Sequence, residues 1–439
     1  MKRVFSDYAY GPGPRTNCWW DETIAAPDWP EFASEARVDV AVVGGGFTGI
    51  SAALHLAQAG TDVLVLEAET PGWGASGRNG GFCCLGGAKL PSSWMQRMFG
   101  EPAAREYEAM ETAAVETAAN LISEHRIDAD THSRGETLLA HSPRAMRRLR
   151  QLADAEAAAG VDPQLVEKAD LRKHGLNGAF WGAMTTPEGF ALNPRKYLFG
   201  LAAAAQKAGA RLYQNSPAQQ IETRDGRYRI TTPQGQIFAE NVVIATNGYS
   251  SDDLPNWLSG RYMPTQSTVL VTRPLTEAEL ENQGWTSDQM AYDSRHMLHY
   301  FRLMPDRRFL FGMRGGLQAS PRSEAAIRKT LRQHFDTMFP AWSDVEATHC
   351  WSGMVCLSRN LVPFIGPVPG SPGLFAGMCY HGNGVAMGSY SGRLLAAQIL
   401  GQDTDLPCSS VVNQMPRFPL GRWRRMVMPP AYAMLSMLD

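Results

Sequence analysis

The stretch VDVAVVGGGFTGISAALHLAQAGTDVLVLEAE, Val38 to Glu69, reads as a buried strand, a glycine turn, an amphipathic helix and a second strand ending on Glu67. Gly44, Gly46 and Gly49 stand at G-x-G-x-x-G spacing. In a βαβ unit the first glycine makes the tight turn, the second lets a pyrophosphate approach the backbone, and the third lets helix and strand pack closely. The helix from about Phe47 to Ala59 points its free N–H groups and the positive end of its dipole at that pyrophosphate. Glu67 follows at the spacing of roughly 20 residues expected of an acid that accepts hydrogen bonds from an adenosine ribose, and a carboxylate there disfavours a 2′-phosphate. The stretch therefore predicts a dinucleotide site in an α/β fold.

The chain has 439 residues, enough for about two domains, and a formal net charge of −2. That balance gives no pull toward nucleic acid or an anionic membrane. The start, MKRVFSDYAYGPGPRTNCWW, lacks an apolar signal region, and the longest apolar stretch is the βαβ unit itself, so a cytoplasmic protein with no membrane span is expected. Seven cysteines without zinc-type spacing read as free thiols, with no structural metal.

Residues 1–36 are rich in Pro, Trp and Gly and read as an extended arm anchored by Trp19, Trp20 and Trp29, a packing element without chemistry. Between 195 and 250 the pattern is a helix followed by short strands, with turns at Asp225-Gly226 and Gln234-Gly235 and a buried strand over Asn241 to Thr246. A strand-rich stretch with a helix from Ser323 to Phe335 follows, and Gly373 to Ile399 reads as strand, glycine turn and helix. Cofactor-type pieces separated by other material predict two interleaved domains. We expect 37–90, 180–255 and 350–400 to form the cofactor domain, 91–179 and 256–349 the substrate domain, and 401–439 a C-terminal extension.

Four ordered motifs carry a resemblance: V-x-G-G-G-F-T-G, then Gly72 to Gly81 (GWGASGRNGG), Ala245 to Tyr249 (ATNGY) and His381 to Ala386 (HGNGVA). Together they resemble the D-amino-acid oxidase-like FAD-dependent oxidoreductases, most closely the gamma-glutamylputrescine oxidase branch, across nearly the whole chain. The resemblance implies a mixed α/β fold of glutathione-reductase type, in which a Rossmann-like FAD-binding domain is interleaved with a substrate domain of β-sheet plus helices. It implies that FAD is held by Gly44, Gly46, Phe47, Thr48, Gly49, Glu67 and Ala68. Gly74, Ala75, Ser76, Arg78, Asn79, Gly80 and Gly81 would run beside pyrophosphate and flavin. Ala218, Ala245, Thr246, Asn247 and Gly353 would close over the cofactor, and Gly382, Asn383, Gly384 and Val385 would begin a helix facing the flavin carbonyl edge. A helix N-terminus there suits the negative charge that reduction places on that edge.

The activity so implied is oxidation of a C–N bond by hydride transfer to flavin N5, with imine hydrolysis after it and O2 or another acceptor taking the electrons. The substrate would be an amine resembling a gamma-glutamyl polyamine. A secondary or D-amino acid is the second enzyme reading, and a non-catalytic flavin-binding subunit is the alternative from another class. Arg78 is the candidate for tuning the flavin or touching the substrate. His381, ahead of the glycine turn, is the candidate for flavin contact or for accepting an amine's proton. Tyr262, Tyr300, Arg302, Trp351 and Tyr380 are candidates for the substrate pocket, with core packing as the alternative for each. Where amino-acid oxidases of the family place a carboxylate-binding arginine, this chain reads Gly353-Met354-Val355, leaving Arg302 and Arg359 as substitutes. Cys350 lies near the position of a covalent tether in one branch, no histidine occurs in Gly72 to Gly81, and non-covalent FAD is expected. Nothing in the sequence fixes the number of chains that assemble.

Overall fold

The computed structural model describes residues 1–224, 226–402 and 406–439. Asp225, half of an expected turn, lies outside them, whereas the flanking strands Gln220–Arg224 and Arg227–Thr231 pair antiparallel as a hairpin requires.

Strand Glu35–Val43 is central to the first sheet because Val40, Ala41 and Val42 are apolar in sequence and have a layer to bury against on each face. It pairs in parallel with Gln236–Ile244 on one side and Val63–Leu66 on the other. The path runs Phe364–Pro367, Leu374–Met378, Gln236–Ile244, Glu35–Val43, Val63–Leu66, Arg211–Tyr213, and the hairpin strands branch from Gln236–Ile244. One face is covered by helices Phe47–Gln58, Pro194–Lys207 and Ala386–Leu400, whose alanines and leucines share a core with Val40, Val42, Val63 and Val65. The far-apart segments of the sequence thus meet in one sheet, in the mixed α/β architecture expected.

The second sheet is mostly antiparallel, in the order Ala347–Ser358, Tyr262–Thr272, Phe309–Arg314, His299–Leu303, Met290–Asp293, Glu136–Leu139, Gly182–Thr186, Gln164–Glu167. Gly182–Thr186 and Ala347–Ser358 run in this sheet, although the segments 180–255 and 350–400 were expected with the cofactor-binding strands. Helix Pro321–Met338 packs against it over an aromatic core of Phe301, Phe309, Phe311, Phe335, Phe339 and Trp342.

The arm is tied down by Trp20, whose indole donates to the Asn79 carbonyl at 2.8 Å, and by buried Trp29, while Trp19 is half-buried. It does more than pack, because Arg3 and Tyr10 reach the cavity described below. The C-terminal segment is fastened by Arg424, fully buried and forked onto Asp252 at 2.7 and 2.9 Å. Among the described residues no helix is long and apolar enough to cross a membrane.

Candidate functional site

The glycine turn after Glu35–Val43 has the geometry its spacing demands. Gly44 takes φ +110°, and a Cβ there would lie 2.7 Å from the Ala245 carbonyl. A Cβ on Gly49 would fall 1.9 Å from the Gly44 carbonyl, so helix and turn touch backbone to backbone. Gly49 therefore works by packing and does not line the cavity. Glu67 closes the unit: its Oε2 accepts from the Gly45 N–H at 3.0 Å and its Oε1 from the Glu69 N–H at 3.1 Å. Burial raises its pKa, and these two bonds oppose the rise.

A long cavity starts here and passes between the two sheets. Gly44, Gly46, Phe47, Thr48, Glu67 and Ala68 line its outer part, with Gly74, Ala75, Ser76, Asn79, Gly80, Ala218, Ala245, Thr246 and Asn247. Ser76 Oγ accepts from the Phe47 N–H at 3.0 Å, tying the second motif to the helix start. Gly81 lies behind the wall, where a Cβ would strike the Leu192 carbonyl.

Arg78 lines the same cavity and is 2% exposed. Its Nη1 donates to the Ser352 carbonyl at 3.1 Å, its guanidinium lies 5.3 Å from the Tyr249 ring centre, and Nε and Nη2 have no partner. Buried charged donors left unpaired are costly, so the site is built to receive an acceptor that the protein does not supply. Gly353, on Ala347–Ser358, leaves room beside the arginine stem: a Cβ there would sit 3.3 Å from Arg78 Cδ.

On the opposite wall the fourth motif forms a strained turn. Cys379 and His381 have φ +67° and +54°, the left-handed region that costs a non-glycine residue about 1–3 kcal/mol. Asn247 Oδ1 holds the Cys379 N–H at 3.0 Å, and Asn383 Nδ2 donates to the Cys84 carbonyl at 2.7 Å. Gly382, Asn383, Gly384 and Val385 line the cavity at the start of helix Ala386–Leu400.

His381 reaches the cavity but does not suit the acid–base role. Its Nδ1 donates to the Gly87 carbonyl at 2.7 Å and its Nε2 accepts from the Ser358 N–H at 3.1 Å, which occupies both nitrogens and keeps the ring neutral. Burial pushes its pKa down to about 3. Three expected pocket residues are also core residues instead. Tyr262 gives its hydroxyl to the Ser250 carbonyl at 2.7 Å, Arg302 is held by the Leu192 carbonyl at 2.7 Å and His132 at 3.0 Å, and Trp351 donates to the Arg78 carbonyl at 2.8 Å. None lines the cavity, although Trp351 fixes the backbone of Arg78. Arg359 is exposed and bound to the Arg417 carbonyl, so neither substitute arginine faces the site. Tyr300 and Tyr380 do line it, hydrogen-bonded at 2.8 Å to Ser267 and Thr48. Cys350 does not line it and packs against the aromatic core, where burial raises its pKa to about 12.

The cavity is also lined by residues the sequence reading passed over: Cys84, Lys89, Glu136, Tyr292 and Arg314. Glu136 Oε1 accepts from the Tyr292 hydroxyl at 3.1 Å, its Oε2 has no partner, and burial raises its pKa to about 7. Lys89 carried a signal, as the one cation in FCCLGGAKL, a run of small and apolar residues just after the second motif. Glu136, opening the apolar strand Glu136–Leu139, carried a weaker one.

The model of the DAO family, FAD dependent oxidoreductase, matches residues 39–398. The chain is 32% identical over 409 residues to the probable oxidoreductase OrdL of Rhizobium meliloti (strain 1021), covering 92% of each. It is 29% identical over 393 residues to the gamma-glutamylputrescine oxidoreductase of Escherichia coli (strain K12), covering 88% of this chain and 89% of that one. Glycine oxidase from Geobacillus kaustophilus superposes with a TM-score of 0.71 at 22% identity, over 87% of this chain and all of that one, which extends the likeness of fold.

Proposed function

Because the chain belongs to the DAO family of FAD-dependent oxidoreductases, enzymes that oxidise C–N bonds of amines, we propose that its substrate is an acylated polyamine of the gamma-glutamylputrescine type. The observation that carries this reading is the cavity. No arginine stands at 353–355 to clamp a small α-amino acid, and the cavity that Arg78 lines is also lined by Tyr292, Tyr300 and Glu136, one of whose carboxyl oxygens has no hydrogen-bond partner. Similarity to the E. coli gamma-glutamylputrescine oxidoreductase supports the same class.

In this reading the mostly parallel sheet and its helices bind the cofactor, and the mostly antiparallel sheet covers the substrate. Bound FAD supplies the acceptor for a hydride from the carbon beside nitrogen. The chain does the rest. Gly44 and Gly46 admit the pyrophosphate to the backbone, Glu67 takes the ribose hydroxyls, and Arg78 offers Nε and Nη2 to the flavin or to the pyrophosphate beside it. The turn at Gly382–Val385 presents a helix start to the developing negative charge. An alkyl amine with a pKa near ~10.4 must lose its proton first, which costs about 4–5 kcal/mol at pH 7 in water. Tyr292 and Tyr300 lower that cost by excluding water from the ammonium, and Glu136 is the nearest acid to receive the proton. Water then hydrolyses the imine to a carbonyl and an amine, and O2 is the proposed final acceptor. Cys350 stands away from the cavity, which supports non-covalent FAD.

The test is the visible spectrum of the purified protein under anaerobic conditions. Gamma-glutamylputrescine is expected to bleach the flavin band, and readmitted air to restore it with formation of peroxide. Bleaching by sarcosine or D-amino acids, with indifference to gamma-glutamylputrescine, would overturn the substrate class.

A further inference from the structure

Two cations, Lys89 and Arg314, line the cavity without a carboxylate at ion-pair distance from either, among the described residues. Lys89 lines it and, among the described residues, has no carboxylate within ion-pair distance. Arg314, the last residue of strand Phe309–Arg314, lines the same cavity. Its Nη2 donates to the His381 carbonyl at 3.0 Å and stands 3.5 Å from where a Cβ on Gly382 would be, and it too lacks a carboxylate partner. Both flank one turn, since His381 Nδ1 is bound to the Gly87 carbonyl two residues before Lys89.

Like charges held close in a space walled by protein repel. Burial and then Arg314 lower the pKa of Lys89. The acids that act on Lys89, Glu136 and Glu111, are not in ion-pair contact with it, and burial raises the pKa of both to about 7. Fully buried Arg424, by contrast, is paired with Asp252.

We propose that Lys89 and Arg314 form an anion subsite that takes a carboxylate of the substrate, so the substrate carries a carboxylate in addition to the amine that is oxidised. This rests on the amine oxidation proposed above and narrows it: a free diamine leaves the subsite empty, and a gamma-glutamyl amine fills it.

The test begins with binding, which needs no turnover. The flavin-loaded protein is titrated with glutarate, which has carboxylates and no amine, and with uncharged glutaramide, following perturbation of the flavin bands. Glutarate is expected to bind and glutaramide not. Lys89→Met and Arg314→Gln should each weaken glutarate by about tenfold or more, the scale of one charge-assisted hydrogen bond, and Lys89→Arg should restore it. The preference in kcat/KM for gamma-glutamylputrescine over putrescine should fall in the same two variants. Equal binding of glutarate and glutaramide by the unaltered protein overturns the proposal without any variant. So does unchanged glutarate affinity in both variants with a shifted flavin potential or slower reoxidation in air, which would assign the cations to the flavin. A flavin that no amine bleaches, in a protein that still binds glutarate through Lys89, would defeat the proposed activity and leave the subsite standing.

Discussion

Arg78 shows what a single side chain reveals when its partners are counted. Its position in GWGASGRNGG makes it the proposed cofactor contact, and the two unpartnered nitrogens add that the bare protein leaves it wanting an acceptor. Arg78→Met keeps the stem and removes the donors. We expect FAD affinity to fall by at least about tenfold in reconstitution of the apoprotein, because hydrogen bonds to a charged group contribute about 1.5–3 kcal/mol. The thermal midpoint of the apoprotein should not fall, since an unpaired buried charge has been removed. Undiminished FAD affinity would refute the assignment. His381 shows the opposite case. Nothing local to HGNGVA tells that its ring is spent on the Gly87 carbonyl, 294 residues away in sequence, and on the Ser358 amide. Residues whose role is fixed by motif spacing were legible, and residues whose role depends on distant hydrogen bonds were not. That is why Arg314 was missed and Tyr262, Arg302 and Trp351 were misplaced, whereas Lys89 and Glu136 carried local signals that were passed over.

Among the elements, helices Phe47–Gln58 and Ala386–Leu400 were readable because apolar periodicity is local. Their crossing was not. A Cβ on Gly392 would lie 2.4 Å from the Thr48 carbonyl and 2.6 Å from the Ala52 nitrogen, so the two backbones are in contact and the starts of both cofactor-facing helices share one support. The same crossing brings Arg393 near His55, in the last turn of the first helix. Burial, then Arg393, pushes the His55 pKa down to about 4, from the ordinary imidazole value of 6.5. The sign follows from linkage: between those values the unfolded chain binds a proton that the folded one refuses, so this contribution makes stability fall as pH falls from 6.5 toward 4. His55→Gln should therefore flatten the dependence of unfolding free energy on pH in that window by about one proton, roughly 1.4 kcal/mol per pH unit. Denaturation at several pH values checks this, and an unchanged slope would mean that His55 protonates freely in the fold.

At the scale of the whole molecule, the return of α/β segments along the chain could be read from the order of motifs, but the sheet that each strand joins could not. Strand pairing is chosen by neighbours far away in the chain, so Gly182–Thr186 and Ala347–Ser358 sat inside segments that looked like cofactor-binding sequence and yet build the second sheet. The consequence is mechanical. Ser352 on the second sheet accepts a hydrogen bond from Arg78, and Arg78 stands beside a cradle built on the first, so the cavity wall is shared and a cofactor filling it would hold both sheets. Because the unfolded chain has no such cradle, FAD stabilises the fold by mass action, about 2.7 kcal/mol at a hundredfold excess over Kd. Stripping the flavin should lower the thermal midpoint, and adding FAD back should raise it in a concentration-dependent way. Hydrogen exchange should quicken on stripping both at 44–48 in the first sheet's turn and at 353–356 in the second sheet. Quickening confined to 44–48 would mean that the second sheet does not close on the cofactor. The stripping itself is informative: acid precipitation should leave the yellow colour in the supernatant, and colour in the pellet would point to a covalent link, against the position of Cys350 outside the cavity wall.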